Sequence, residues 1–184
     1  MDGKSFIIQH LQQINRPGTE SLLHYLEERD FYTAPASRSH HHSCEGGLVI
    51  HSIEVYQRAL ELRERNPQLH DYLEPDSVCI CALLHDLCKT KLYRLDENGK
   101  YTISRRQVAG GHGRLSLAKL DKVGYELTED ERHAIRWHMG RFTSDLTKSE
   151  DVIDYKEALT HPLTWLIHTA DTLSAKGVNI EDIV

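Results

Sequence analysis

The sequence predicts an all-α fold with a small β-hairpin insertion. Apolar residues recur at helical spacing in segment after segment, and capping or breaking residues separate those segments. A single stretch after Lys91 instead alternates around Asn98-Gly99, as a hairpin does.

Gly3 to Asn15 carries Ile7, Leu11 and Ile14 on one stripe, and Arg16-Pro17-Gly18 stops it. Thr19 is placed to cap a second helix through Glu28, with Leu22, Leu23 and Leu26 inward. Asp30 to Gly47 is polar and reads as an ordered loop. A third helix from Gly47 has two apolar stripes, one through Val49, Ile53, Tyr56 and Leu60 and one through His51, Val55, Ala59 and Leu62, which marks a central helix. Asn66-Pro67 ends it, and the next helix, about Asp76 to Cys88, is nearly all apolar. Leu92–Leu95 and Lys100–Ile103 form the hairpin, with Asn98-Gly99 supplying the positive φ angles. Gly110-Gly111-His112-Gly113 reads as a loop leading to a helix from Arg114. Thr128-Glu-Asp-Glu131 is a capping box, and Pro162 suits the first turn of a last helix through Leu163, Ile167, Ala170 and Asp171.

The 184 residues suit one domain, with helices over 1–33, a core over 34–175 and a tail over 176–184. No apolar run reaches the roughly 20 residues of a membrane helix, and the start lacks a signal-peptide pattern, so a cytoplasmic location is expected. The net charge of −6 argues against long nucleic acid as a partner but not against a small anion at a metal site. Cys44, Cys79, Cys81 and Cys88 include no CxxC pair and read as reduced thiols.

The feature that carries chemistry is His85-Asp86, which ends the apolar run from Ser77 to Leu84. A buried carboxylate without a partner is costly, so one at this position is paired, protonated or bound to metal. His51, Asp171 and His138 sit in comparable apolar settings, and His112 lies in the glycine loop. Together they spell H…HD…H…H…D, a nitrogen and oxygen set suited to one or two divalent ions of Mn, Fe, Co, Ni or Zn. Asp86 could bridge two ions, and a metal lowers the pKa of a bound water from about 15.7 toward 7, giving a hydroxide nucleophile. Any one of these histidines alone is more often a hydrogen-bonded core residue; the set of six carries the reading. His40-His41-His42 reads as a solvated loop, His133 as facing elsewhere, His161 as part of a helix start, and His168 as a neighbour of Asp171. Arg114, Arg136 and Arg141 are either anion contacts or solvated cations.

At these residues the sequence resembles the HD-domain superfamily of metal-dependent phosphohydrolases, from about Ala34 to Ala175. Gly46-Gly47-Leu48-Val49-Ile50-His51-Ser52 resembles its first-histidine motif. Leu83-Leu84-His85-Asp86-Leu87-Cys88-Lys89 resembles its HD motif, with cysteine where glycine is common. Trp137-His138-Met139-Gly140 and Thr169-Ala170-Asp171 resemble the later histidine and the closing aspartate. Phe31 to His51 is similar to small stand-alone bacterial HD hydrolases. The resemblance implies a helical HD bundle in which His51, His85, Asp86 and Asp171 hold one ion. His112 and His138 match two-metal members, including cyclic-dinucleotide phosphodiesterases and 3′–5′ exoribonucleases of HD type. It further implies a catalytic pair, Asp86 and Lys89, with the lysine reaching a substrate phosphate; the competing reading is a lysine favoured by a helix C-terminus. The expected function is hydrolysis of a nucleotide or another small phosphate ester. The same six ligands also occur in HD-type diiron oxygenases, so ligand identity leaves that alternative open, along with exoribonuclease-like hydrolysis. Substrate and oligomeric state are not legible in the sequence.

Overall fold

Residues 2–103, 111–140 and 148–180 are described by the computed structural model; Gly110 and Arg141 lie outside them. These residues form eight α-helices and a two-stranded sheet: α1 (Gly3–Ile14), α2 (Thr19–Glu28), α3 (Gly47–Glu64), α4 (Pro75–Leu84), β1 (Tyr93–Leu95), β2 (Tyr101–Ile103), α5 (His112–Lys122), α6 (Glu129–Trp137), α7 (Ser149–Ala158) and α8 (Pro162–Lys176). Short 3₁₀ segments over Asp30–Tyr32, Pro67–Tyr72 and Leu87–Lys89 join them.

Helix α4 is the hub. Every residue from Val78 to Leu84 is buried, and the helix is flanked by α3, α6 and α8. Burying each of its large side chains is worth about 1.5–3 kcal/mol. That fixes the axis of α4, and with it the position of the two residues that follow. Ile7 and Leu11 of α1 and Leu22 and Leu26 of α2 join the same hydrophobic cluster as the Val78–Leu84 run. Glu131 ties the periphery to this core. It completes the capping box with Thr128, accepts from Arg16 at 2.7 Å and accepts from Ser77 Oγ at 2.7 Å, so one buried carboxylate links the α1–α2 corner, α4 and α6.

Four local expectations are corrected. Gly18, with a φ of 89°, is the residue preceding α2, while the Thr19 hydroxyl donates backward to the Arg16 carbonyl at 2.6 Å. Helix α4 stops at Leu84 rather than Cys88. In the hairpin, Gly99 alone has a positive φ, 70°, because the Asp96 carboxylate accepts from the Asn98 and Lys100 backbone N–H groups and shapes a longer turn. His112 begins α5 instead of ending a loop.

The start of α5 is set by one glycine. A Cβ on Gly113 would stand 2.2 Å from the Arg136 carbonyl oxygen and 2.4 Å from that of Ile135. Only glycine lets α5 approach the end of α6 so closely, which brings the His112 backbone toward the centre.

Candidate metal centre

His85 and His138 occupy the same kind of position, the residue that terminates a helix. Helix ends leave carbonyls without intrahelical partners. Here the imidazoles supply the donors: His85 Nδ1 donates to the Ala82 carbonyl at 2.9 Å and His138 Nδ1 to that of Ile135 at 2.8 Å. Since a carbonyl can only accept, both rings carry the proton on Nδ1, and in the neutral ring Nε2 presents a bare lone pair. The His138 carbonyl is gripped in turn by His168 Nδ1 at 2.5 Å, which makes His168 a support for that histidine.

His51 is oriented from the opposite side. Its Nδ1 lies 3.0 Å from Ser174 Oγ, whose own proton goes to Glu54 Oε2 at 2.9 Å. The serine oxygen must therefore accept from His51, which leaves a third Nε2 lone pair pointing inward. His51 Nε2 is 3.3 Å from His85 Nε2, 3.1 Å from Asp171 Oδ1 and 3.6 Å from Asp86 Oδ2, and His85 Nε2 is 3.3 Å from Asp86 Oδ2. Donors bound to one ion at about 2.0–2.2 Å stand roughly 3.0–3.5 Å apart, so this spacing fits a divalent metal. Two bare nitrogens repel, so the pair is favourable only with a proton or a metal ion between them. The Nε2 of His138 makes the same point, being fully buried with no hydrogen-bond partner, 3.6 Å from Asp86 Oδ1.

Asp86 is the link. It forms one donor group with His85 and His138 and another with Cys88 and His112, while His51, His85 and Asp171 form a third. No group of three donors within 4.8 Å among the described residues contains both His112 and His138. The end of α4 explains why Cys88 is present. In a continued helix, residue 88 would point well away from residue 86. The chain instead leaves α4 and turns through Leu87–Lys89, which brings Cys88 Sγ to 3.8 Å from Asp86 Oδ1 and 3.3 Å from His112 Nδ1. The same turn sets Lys89 Nζ 2.5 Å from Asp86 Oδ2. Lys119 of α5 clamps the turn through its Nζ, which donates to the Leu87, Cys88 and Thr90 carbonyls and to the Thr90 hydroxyl over 2.7–3.1 Å.

The electrostatics favour a bound cation. Burial opposes ionisation of Asp86, but the charges of Lys89 and His85 outweigh it and hold the carboxyl well below its usual range. Burial likewise opposes Asp171, and the His51 hydrogen bond and His85 charge prevail. Burial also disfavours a charged His51 or His138, yet the carboxylates win and raise both rings. A field that attracts a proton to these nitrogens attracts a divalent ion in the same way. His85 is lowered, chiefly by burial, as is His112. Burial pushes the Cys88 thiol up to about 12.

Two features escaped the sequence reading. The His40–His42 segment is not simply a solvated loop: the His41 ring centroid is 4.8 Å from that of His51, its Nε2 is buried without a hydrogen-bond partner, and burial lowers its pKa to about 4. His42 Nε2 reaches Glu54 Oε2 at 3.0 Å and so joins the chain behind His51. Cys88 was the other omission. By contrast, Arg114 and Arg136 both pair with Asp151 of α7 rather than facing the centre. His133 stacks on His161 at 4.8 Å, away from the donors.

The fold and donor set define a helical bundle built around a candidate divalent-metal centre. The HD domain family profile matches residues 48–176, more than half of the chain, and the protein belongs to that family. The chain is also similar to a dihydroneopterin 2′,3′-cyclic phosphate phosphodiesterase of Methanocaldococcus jannaschii, 36% identical over 69 residues. That match covers 37% of this chain and 28% of the relative. No solved structure matches significantly. Among the described residues, no helix is long and apolar enough to cross a membrane.

Proposed function

We propose that the protein is a metal-dependent phosphohydrolase acting on a small phosphate ester of nucleotide type, with cyclic phosphodiesters as the first class to assay. The observation that carries this reading is the convergence of three histidine Nε2 lone pairs on Asp86 and Asp171, all buried, with the Lys89 ammonium beside them. The relative's name, which specifies a cyclic phosphate phosphodiesterase, supports the choice of phosphorus chemistry and of a nucleotide-like ester.

In this reading His51, His85, Asp86 and Asp171 hold the first ion, and His112 and His138, on the other side of Asp86, serve a second. A divalent ion bound there supplies Lewis acidity and lowers the pKa of water in its shell toward about 7. Lys89 keeps its charge, because Asp86 offsets the cost of burial and raises its pKa, so it presents a fixed positive group to an anionic ester. His41, neutral at pH 7, offers a ring N–H and a lone pair from the wall beside His51. The test is hydrolysis of cyclic and linear phosphodiesters and of nucleotides, without oxygen, with Mn, Co, Ni, Fe or Zn in turn. Turnover with a redox-inert ion supports the reading. Iron-dependent oxygen uptake without phosphate ester cleavage overturns it in favour of oxygenase chemistry.

A further inference from the structure

We propose that Cys88 is a metal ligand, so that Asp86, Cys88 and His112 form a sulfur-bearing subsite beside the nitrogen and oxygen subsite of His51, His85 and Asp171. The proposal rests on the metal-centre reading given above and adds the chemical class of the second ion, a thiophilic one such as Zn, Co or Fe in preference to Mn or Mg.

Three observations carry it. The carboxylate of Asp86 divides its oxygens between the two sides: Oδ2 faces His51 and His85, while Oδ1 faces Cys88 Sγ and His138 Nε2. The Cys88 and His112 donors stand 3.3 Å apart, a spacing that suits a sulfur at about 2.3 Å and a nitrogen at about 2.0 Å from one ion. The fully buried Nε2 of His138, which makes no hydrogen bond, lies 3.6 Å from the same Asp86 oxygen that Cys88 faces, so a further donor converges on that side independently of the cysteine.

The other buried cysteines are committed elsewhere. Cys81 Sγ lies 3.7 Å from the Glu131 carbonyl, and Cys79 bonds to Tyr56. The Cys88 thiol has the His112 nitrogen in reach, and its backbone N–H is fixed by Ser116 Oγ at 3.0 Å, which holds the side chain in place. On ligation the S–H bond breaks, its proton passes to water, and the electron pair left on sulfur forms the bond to the ion. No electron changes hands.

The experiment is cobalt loading of the whole protein, read by absorption and by elemental analysis, with turnover measured separately. The expected result is an intense sulfur-to-cobalt charge-transfer band in the near ultraviolet. It should appear in the wild type and in Cys79→Ser, and vanish in Cys88→Ser and Cys88→Ala. Cys88→Ser should also shift the preference for Zn over Mn at the second ion by roughly tenfold or more. Wild-type protein carrying cobalt without that band overturns the proposal, as does a band that persists in Cys88→Ser. Failure to take up any metal overturns this proposal and the metal-centre reading together. A cysteine-dependent band in a protein that cleaves no phosphate ester overturns the hydrolase reading alone.

Discussion

On one side of Asp86, the donors His51, His85 and Asp171 come from α3, the end of α4 and α8, and each histidine is locked by a second bond, to Ser174 or to Ala82. On the other side, His112 opens α5, Cys88 comes from a 3₁₀ turn, and His138 ends α6 without being grouped with His112. The first side is a preorganised cluster built on helices that share the core. The second depends on how closely α5 and the 86–90 turn are held. An ion on the first side therefore costs little reorganisation, and an ion on the second draws its ligands together. The protein should bind two ions in sequence, with the second the weaker.

Removing the shared ligand should do the most damage. Asp86→Ala takes a donor from both sides and leaves Lys89 buried without its partner, a break that costs about 3–5 kcal/mol of stability. Turnover of a phosphodiester should fall on the order of 1000-fold. Elemental analysis should show neither ion retained. Asp86→Asn keeps the shape and separates the loss of charge from the loss of packing.

The two sides should then come apart under single substitutions. His51→Ala should abolish binding of both ions, whereas His112→Ala should leave close to one ion per chain. Equal losses from the two variants, measured by calorimetric titration, would break the distinction between the sides. The same titration against pH has a definite sign. The His51 and His138 pKa values are raised, so these rings hold protons to a higher pH than an ordinary histidine. Metal must displace those protons, so affinity should fall as the pH drops, with the fall beginning above the usual histidine range.

Supports of each side give smaller effects. Ser174→Ala removes the acceptor that fixes the His51 tautomer and should weaken the first ion by roughly 10–100-fold. Lys119→Met removes the ammonium donor from the Leu87, Cys88 and Thr90 carbonyls, of which Leu87 keeps the Thr90 N–H and hydroxyl. It should cost about 1–3 kcal/mol in denaturant unfolding and weaken the second ion more than the first. The smallest effect is on thiol reactivity. Cys79, Cys81 and Cys88 are buried with their pKa values pushed up, so a thiol reagent at neutral pH should modify Cys44 alone in the native protein.

The sequence showed the helices because apolar stripes and caps are local signals: α1, α3 and α6 begin within a residue of their predicted starts. It pointed to the six candidate donors because five of them are polar residues beside apolar helical positions, and His112 stands out within a glycine loop. Cys88 stayed hidden because α4 ends at Leu84 rather than Cys88, and a hydrophobic run does not announce a turn that folds back over its own carboxylate. His41 stayed hidden for a different reason. A polar loop reads as solvated, and only the packing of residues 30–47 against α3 brings that ring to His51. For Arg114 and Arg136 neither sequence reading, anion contact or solvated cation, named the partner, because Asp151 lies in α7, some distance along the chain.

The central claim is that ions held around Asp86 carry phosphate ester hydrolysis. The most direct measurement is turnover of a cyclic phosphodiester as metal is stripped with chelator and then titrated back, with bound ions counted at each step. Activity should vanish on stripping and return as the sites refill, with the first equivalent binding tightly and the second weakly. Hydrolysis that survives complete removal of metal, or fully loaded protein that cleaves no phosphate ester, would contradict the account.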